Sequence, residues 1–270
     1  MKKWAIAAII YLFAVIGGYQ VYAQFIQKDG TVAHSSSNHE SGEHDETESG
    51  MHEHGDSHQS SDVKAKVIYN NSALAITLAD KDGNPVDNLE VNHEKIIHLI
   101  VVDEGLEKYY HLHPEKTGVG TFQVKQPLEN GNYKAFVDIK PKGLNYEVMP
   151  VKIKIGEAAH KHPHSLTPDT SLEKRVEGEK VQMKMSSQKL SQPVTLSFSL
   201  DKTKLEPYLG AAGHVVILDE KGEHYLHVHP VKENETVFQT EFDRPGVYKI
   251  WAEFKQNGKV RVFPFVVEVK

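Results

Sequence analysis

The sequence predicts an all-β protein built from two tandem β-sandwiches. Three observations support this prediction: a long internal repeat, short strand-like stretches separated by turn residues, and no helical period within the repeated region. A chain of 270 residues is long enough for two domains of ordinary size. The repeated unit is therefore interpreted as a complete domain.

The repeat is centred on a histidine pattern that occurs twice. Residues 98–114 read HLIVVDEGLEKYYHLHP, and residues 214–230 read HVVILDEKGEHYLHVHP. In both copies a histidine opens an apolar run, and twelve residues then separate it from a His-x-His-Pro sequence. The six histidines of the two copies, which share an offset of 116 residues, are His98, His111 and His113 in the first copy and His214, His227 and His229 in the second.

Each copy of the repeat contains seven predicted strands. Alternating apolar residues and β-branched or aromatic enrichment indicate strands, and Asp-Gly, Asn-Gly and Pro-Gly pairs indicate the turns between them. In domain 1, residues 62–156, the predicted strands are 64–69, 73–79, 96–102, 109–112, 120–124, 133–139 and 147–155. In domain 2, residues 179–270, they are 181–186, 194–200, 214–218, 223–228, 236–240, 246–254 and 260–269. Residues 157–178 are predicted to be a polar linker that contains further histidines.

The N-terminus carries an export signal. Two lysines precede a nearly uninterrupted apolar stretch, and residues 1–23 are predicted to be a signal peptide or an N-terminal hydrophobic helix that anchors the chain in a membrane. Cleavage and retention both remain open. Either outcome places the remainder of the chain outside the cytoplasm, secreted or membrane-anchored.

Residues 24–61 are predicted to be a disordered segment rich in histidine and acidic residues. Residues 34–58 hold six histidines and seven carboxylates and no lysine or arginine. Such a stretch buries too little apolar surface to offset its ordering entropy. Its imidazoles are suited to weak metal capture, and the alternative is a solvated spacer.

Composition excludes several function classes. There are no cysteines, so disulfides, thiolate metal sites and cysteine-ligated blue-copper centres are excluded. The formal net charge is -6 and no basic patch is present, which argues against a nucleic-acid partner. No nucleophile elbow, phosphate loop or zinc-protease motif is found, and we expect no enzymatic activity.

The spacing of the repeated histidines is compatible with a chelating hairpin. If the first turn is centred between Glu104 and Gly105, His98 lies opposite His111, and His113 projects from the same face. The equivalent register pairs His214 with His227. Imidazole suits Zn(II) and Cu(II), so the six histidines are candidate metal ligands.

A second interpretation of these histidines stays open. The strand that begins at His98 is apolar on both sides, so we expect it to be central and covered. A histidine at the end of a covered strand can be a packed residue that hydrogen-bonds a carbonyl. His224 has the wrong parity to join the second trio and is expected at the surface, and Met183 and Met185 are expected to pack.

The run LEPYLGAAGH...YLHVHP of residues 205–230 resembles a group of exported bacterial proteins described as secreted or heavy-metal-associated. The first copy, HLIVV...YYHLHP, resembles the related YtkA-like domains. The resemblance covers roughly residues 62–270. It implies immunoglobulin-like or cupredoxin-like sandwiches, and it favours copper slightly over zinc.

The function predicted from the sequence is that of an exported, non-enzymatic protein that binds copper or zinc for capture, buffering or delivery. Its expected partners are metal ions, together with a membrane if the N-terminal segment is retained. The alternative is a structural or interaction module whose histidines are packed and are not ligands. A metal-dependent oxidase with an open three-histidine site is the third and least favoured class.

Overall fold

The computed structural model describes residues 61–92, 94–157, 165–232 and 234–270, and the side chains of His227 and His229 lie outside that description. Residues 57–270 form one compact unit. The predicted N-terminal segment, the histidine-rich segment and the linker histidines lie outside the described residues. Within the described part, no helix has the length and apolarity needed to cross a membrane.

Domain 1 is a sandwich of two antiparallel sheets. One sheet has the order β1-β2-β7-β6, and the other has the order β3-β8-β4-β5 with β9 also paired to β8. Its strands are β1 Val63–Asn70, β2 Ala73–Asp80, β3 Leu89–Glu90, β4 Ile97–Asp103, β5 Tyr109–Leu112, β6 Glu115–Gly118, β7 Thr121–Lys125, β8 Gly131–Pro141 and β9 Pro150–Ile155.

Domain 2 repeats this arrangement with one continuous set of pairings. The strand order is β10-β11-β12-β16-β15-β14-β17-β13, and β18 pairs with β17. Because β15 pairs with both β14 and β16, it connects the two layers. Its strands are β10 Glu173–Val176, β11 Glu179–Met185, β12 Pro193–Ser199, β13 Leu205–Glu206, β14 His214–Asp219, β15 Tyr225–Pro230, β16 Val237–Glu241, β17 Gly246–Gln256 and β18 Lys259–Val269.

The all-β prediction is confirmed, and each predicted strand has a counterpart. The strands that the sequence did not predict are all short, namely β3, β6, β10 and β13. Strand β10 lies inside the segment 157–178 that the sequence assigned to a linker, and it pairs with β11. Short polar strands have too few alternating residues to give a periodic signal, so composition alone classed them as loops.

The predicted register of the histidine hairpins was wrong, because the turn is centred one residue later than predicted and His111 therefore pairs two residues further along β4. The pairs observed between β4 and β5 include Leu99 with Leu112 and Ile100 with His111, so His98 is in line with His113 and not with His111. The second hairpin has the equivalent register, because Val216 pairs with His227.

The turn explains the shift in register. The backbone N–H of Leu106 donates to Asp103 O, and Leu106 adopts a left-handed conformation with φ of 56°. The Asp103 carboxylate accepts from the Lys108 N–H at 2.7 Å, which closes a four-residue loop. This loop is centred one residue beyond the predicted turn. The parity of the pairing is unchanged, so the histidines still project from one face.

Strand β4 is buried on both faces, as the sequence predicted. One face, with Leu99 and Val101, belongs to the core of the first sandwich. The other face, with Ile100 and Val102, packs against domain 2. The sequence indicated that this second face is covered, and the structure identifies the cover as the other half of the chain.

The interface between the two sandwiches is a separate apolar cluster, called here the interdomain cluster. It contains Ile100, Val102, Leu106 and Phe136 from domain 1 and Val216, Leu218 and Trp251 from domain 2. All seven are buried, and their burial removes apolar surface of both halves from water. The two sandwiches are therefore docked face to face through their histidine-bearing sheets.

Equivalent residues of the two repeats meet reciprocally in this interface. The Tyr109 ring stacks on Trp251 with 4.9 Å between centroids, and the Tyr225 ring stacks on Phe136 with 5.5 Å. The Tyr225 hydroxyl also donates to Asp138 at 3.0 Å. Each half thus contributes the same kind of contact to the other, as in an isologous dimer interface.

Candidate metal centre

The histidines of the first repeat lie at one end of the docked sheets. His98 is the second residue of β4, His111 is in β5, and His113 follows β5 where the chain leaves for β6. Pro114 comes next and cannot donate to a strand ladder, which fits a position between two sheets. The His-x-His-Pro sequence therefore marks the point where the chain crosses from one layer of the sandwich to the other.

The three imidazoles of His98, His111 and His113 converge. One ring nitrogen from each lies within 4.8 Å of the others. Ring centroids are separated by 5.2 Å for His98 and His111, 5.1 Å for His98 and His113, and 4.8 Å for His111 and His113. The prediction that this trio shares one place in the fold is thus met, although the strand register differs from the predicted one.

The outer nitrogens of two of these rings have acceptor-only partners. His98 Nε2 lies 2.8 Å from the carbonyl oxygen of Asn92. His111 Nδ1 lies 2.8 Å from Oε2 of Glu253, with both side chains at most 5% exposed. Since a carbonyl and a carboxylate only accept, both outer ring nitrogens carry the proton.

The inner nitrogens of the same two rings therefore face each other. His98 Nδ1 and His111 Nε2 are 3.0 Å apart. In neutral rings each of these atoms carries a lone pair, and two lone pairs at this distance repel unless a cation lies near them. The cation can be a proton or a metal ion.

His113 completes the trio. Its Nε2 is buried, and it has no hydrogen-bond partner among the described residues. Burial, followed by the neighbouring His111 and His98, lowers the pKa of His113 to about 3. A neutral imidazole whose nitrogen has no donor or acceptor nearby is well suited to metal ligation.

Domain 2 contributes His214 to the same cluster. The His214 ring is 5.7 Å from the His111 ring, and its Nε2 donates to the carbonyl oxygen of Tyr208 at 2.9 Å. This contact repeats the one between His98 and Asn92. Burial is the main reason that the pKa of His214 is lowered to about 4, with His111 adding to the effect. The sequence assigned His214 to a separate second site, whereas the structure places it beside the first trio.

The backbone before His214 approaches β17 closely. A Cβ at Gly213 would lie 2.6 Å from the carbonyl oxygen of Glu253. Only glycine permits this approach, which sets His214 beside the carboxylate-bearing strand.

The other histidines and methionines noted in the sequence lie in different parts of domain 2. His227 and His229 are in β15, and their side chains lie outside the described part of the structure. His224 precedes β15, and its Nε2 lies 3.0 Å from the Asp243 carboxylate, away from the trio. Met183 is buried in the core of domain 2 and Met185 packs against it, as expected from the sequence.

Glu253 is the residue of this site that the sequence analysis missed. It is 142 residues from His111 along the chain, and it is buried with 2% exposure. The repeat held a signal for it, because Glu253 in β17 pairs with His214 as Asp138 in β8 pairs with His98. The repeat thus marks a carboxylate paired with the first histidine of each copy, but the contact of Glu253 with His111 arises between the two domains.

The donor set fits a transition-metal ion. Imidazole nitrogens bind zinc at about 2.0–2.1 Å, so tetrahedral neighbours are about 3.4 Å apart. The pair at 3.0 Å is close to that spacing, and all three nitrogens lie within 4.8 Å of one another. The contact of His111 with Glu253 has the form of the carboxylate–histidine pairs that support metal ligands.

Comparisons with solved structures return distant β-sandwich proteins. A two-domain fibronectin type III segment of chicken tenascin has a TM-score of 0.25 at 10% identity, over 76% of this chain and 98% of that chain. The Escherichia coli adhesin FdeC has a TM-score of 0.24 at 12% identity, over 78% and 64% respectively. The FN1–FN3 domains of chicken CNTN1 give 0.23 and 12%, over 74% and 61%. No curated protein matches the chain significantly.

One family model matches the chain twice. The matched segments, residues 55–157 and 174–270, coincide with the two sandwiches and together cover more than half of the sequence. The model is described as a domain of unknown function, and neither a YtkA-like nor a heavy-metal-associated model was matched. The chain therefore belongs to the DUF8832 family, of which it carries two tandem copies.

Proposed function

We propose that this chain is a metal-binding protein that holds one transition-metal ion between its two sandwiches. The proposed ligands are His98, His111 and His113, with His214 next to them. The ion is Cu(II) or Zn(II), which imidazole ligands suit. The protein is proposed to be non-enzymatic and extracytoplasmic, and to capture, buffer or deliver the ion.

One observation carries the proposal. The inner nitrogens of His98 and His111 are 3.0 Å apart, while the outer nitrogens of both rings donate to acceptor-only groups. A divalent ion bound by both lone pairs removes the repulsion between them.

The proposal is tested by titrating the chain with Zn(II) against a chelator of known affinity. The variant His111→Ala should weaken the tightest site at least about tenfold, which corresponds to about 1.4 kcal/mol. The control is His224→Ala, because His224 pairs with Asp243 outside the trio. Equal affinities in the parent and both variants would show that the trio is not the binding site.

A second candidate is a structural module of two rigidly docked sandwiches. The observation in its favour is the buried hydrogen bond between His111 and Glu253, which joins the two sandwiches near the interdomain cluster. A proton shared by His98 and His111 would also separate the two lone pairs, and Glu253 would balance its charge. If this candidate is right, the protein is folded and docked, and its highest metal affinity is no greater than that of solvent-exposed histidines.

A further inference from the structure

The site draws on both sandwiches. The histidine trio belongs to domain 1, whereas Glu253, which accepts the hydrogen bond from His111 Nδ1, belongs to β17 of domain 2. The exposed fraction of the His111 side chain is 5% in the docked arrangement. Domain 2 therefore supplies a polar partner for the trio, and its Glu253 carboxylate lies against the nearly buried His111 side chain.

We infer that metal binding and docking of the two sandwiches are thermodynamically linked, and that Glu253 is the positioning residue that carries this linkage. The inference rests on the proposed metal function. Under this inference the bound ion stabilises the docked arrangement of the two domains, and undocking lowers the affinity for the ion.

The chemistry of His111 explains the linkage. In the docked protein Glu253 holds the proton on Nδ1, so the lone pair of Nε2 points toward His98. Without docking, His111 loses the carboxylate, exchanges between tautomers and rotates in water. A carboxylate partner also makes the ligand more basic, and its loss typically costs about 10–100-fold in metal affinity. By reciprocity, an ion that prefers the docked state stabilises that state by the same factor.

Docking can be perturbed without touching the proposed ligands. Leu106 lies in the turn between β4 and β5 and belongs to the interdomain cluster, not to the core of either sandwich. Its φ of 56° is a conformation that asparagine tolerates better than leucine, so Leu106→Asn removes the apolar contact while it relieves backbone strain. Val119 is a matched control, because it is an apolar residue of a hairpin turn with 65% exposure.

Tryptophan emission reports docking. The sequence holds two tryptophans, Trp4 and Trp251, and Trp251 is buried in the interdomain cluster against Tyr109. The full chain carrying Trp4→Phe therefore has a single tryptophan at the interface. Undocking would expose it and shift its emission to longer wavelength. Zn(II) is the probe because it is redox-inert.

The experiment measures Zn(II) affinity by chelator competition and Trp251 emission in that background. The variants are Leu106→Asn, Glu253→Gln and the control Val119→Asn. We expect Glu253→Gln to keep the docked emission and to bind Zn(II) at least about tenfold more weakly, since the amide has no charge. Leu106→Asn should show red-shifted emission that Zn(II) reverses, together with weaker binding. Val119→Asn should match the parent in both measurements.

The outcomes separate this inference from the proposed function. A parent that binds no Zn(II) at the trio overturns both. A parent that binds Zn(II) while Glu253→Gln binds equally well overturns the linkage and leaves the metal function intact. Circular dichroism identifies a variant that fails to fold. If one variant does not fold, the other variant tests the linkage. Urea denaturation of the parent is a second test, because linkage requires that Zn(II) raise the urea concentration at which Trp251 becomes exposed.

Discussion

The buried histidines define the chemistry of this protein at the scale of single residues. Burial lowers the pKa of His113 to about 3 and that of His214 to about 4, so both rings are neutral in the folded chain at neutral pH. Neutral imidazoles are the form that binds metal ions. The same burial makes the fold sensitive to acid.

The pH dependence of stability follows from these shifts. In the unfolded chain both histidines titrate near 6.5, so below that pH the unfolded state binds more protons than the folded state. The free energy of unfolding should therefore be independent of these groups above about pH 6.5. It should fall from there to about pH 4 through both histidines and on to about pH 3 through His113. Chemical denaturation in the presence of a chelator, repeated across this range, measures the loss.

The variant His214→Gln isolates one of the two contributions. Its amide can still donate to the carbonyl of Tyr208, the partner of His214 in the parent, but it does not titrate. The slope of unfolding free energy against pH should be smaller in the variant by up to one proton, or about 1.4 kcal/mol per pH unit. Identical slopes would mean that His214 is not buried as a neutral ring.

Of the residues at this site, the histidine trio could be predicted from the sequence, whereas Glu253 could not. The convergence of His98, His111 and His113 could be predicted because two of them share a strand parity and the third lies on the paired strand. The role of Glu253 could not, because the pairing of His111 with a residue 142 positions away depends on how two domains dock. No local pattern contains that information.

At the scale of elements, the hairpin between β4 and β5 determines which histidines meet. Its register depends on the loop that follows Asp103, whose carboxylate accepts from the Lys108 N–H. Strand positions were predictable from alternation, but the register was not, because the left-handed residue of this four-residue loop is Leu106 and not the neighbouring Gly105. The error did not change the face of the strands from which the histidines project, so the predicted grouping of His98, His111 and His113 was still correct.

The turn can be tested directly. Asp103→Ala should lower the free energy of unfolding by about 1 kcal/mol, since it removes one half-buried hydrogen bond to a charged acceptor. Asp82→Ala in the exposed turn before β3 is the control and should change stability by less than about 0.5 kcal/mol. Urea denaturation of the three proteins measures both effects. Equal stability of the Asp103→Ala variant and the parent would show that the carboxylate does not hold the turn.

At the scale of the whole molecule, the two sandwiches behave as an internal pair. Tyr225 donates to the buried Asp138 across the interface, and Tyr109 occupies the equivalent place beside Glu253. Burial, followed by the charges of these carboxylates, raises the pKa of both tyrosines well above the usual range. The repeat predicted two copies of a domain. In the structure the equivalent residues of these two copies form a shared interface.

Tyr225→Phe tests the interface. The change removes one hydrogen bond to a buried carboxylate and leaves the ring that stacks on Phe136. The free energy of unfolding should fall by about 1.5–3 kcal/mol, the range for bonds to charged groups. Tyr69→Phe is a control within domain 1, where the hydroxyl bonds to the backbone of Leu128, and we expect a loss of about 0.5–1.5 kcal/mol. Equal losses in the two variants would contradict a specific role for the contact with Asp138.

The proposed function places one metal ion among His98, His111 and His113 at the junction of the two sandwiches. Anomalous diffraction at the zinc edge, from crystals of the chain grown with one equivalent of Zn(II), tests it most directly. We expect one strong anomalous peak within about 2.0–2.1 Å of a ring nitrogen from each of the three histidines, with Glu253 still bonded to His111. An absence of density at this position, in crystals whose bound zinc lies elsewhere, would contradict the claim.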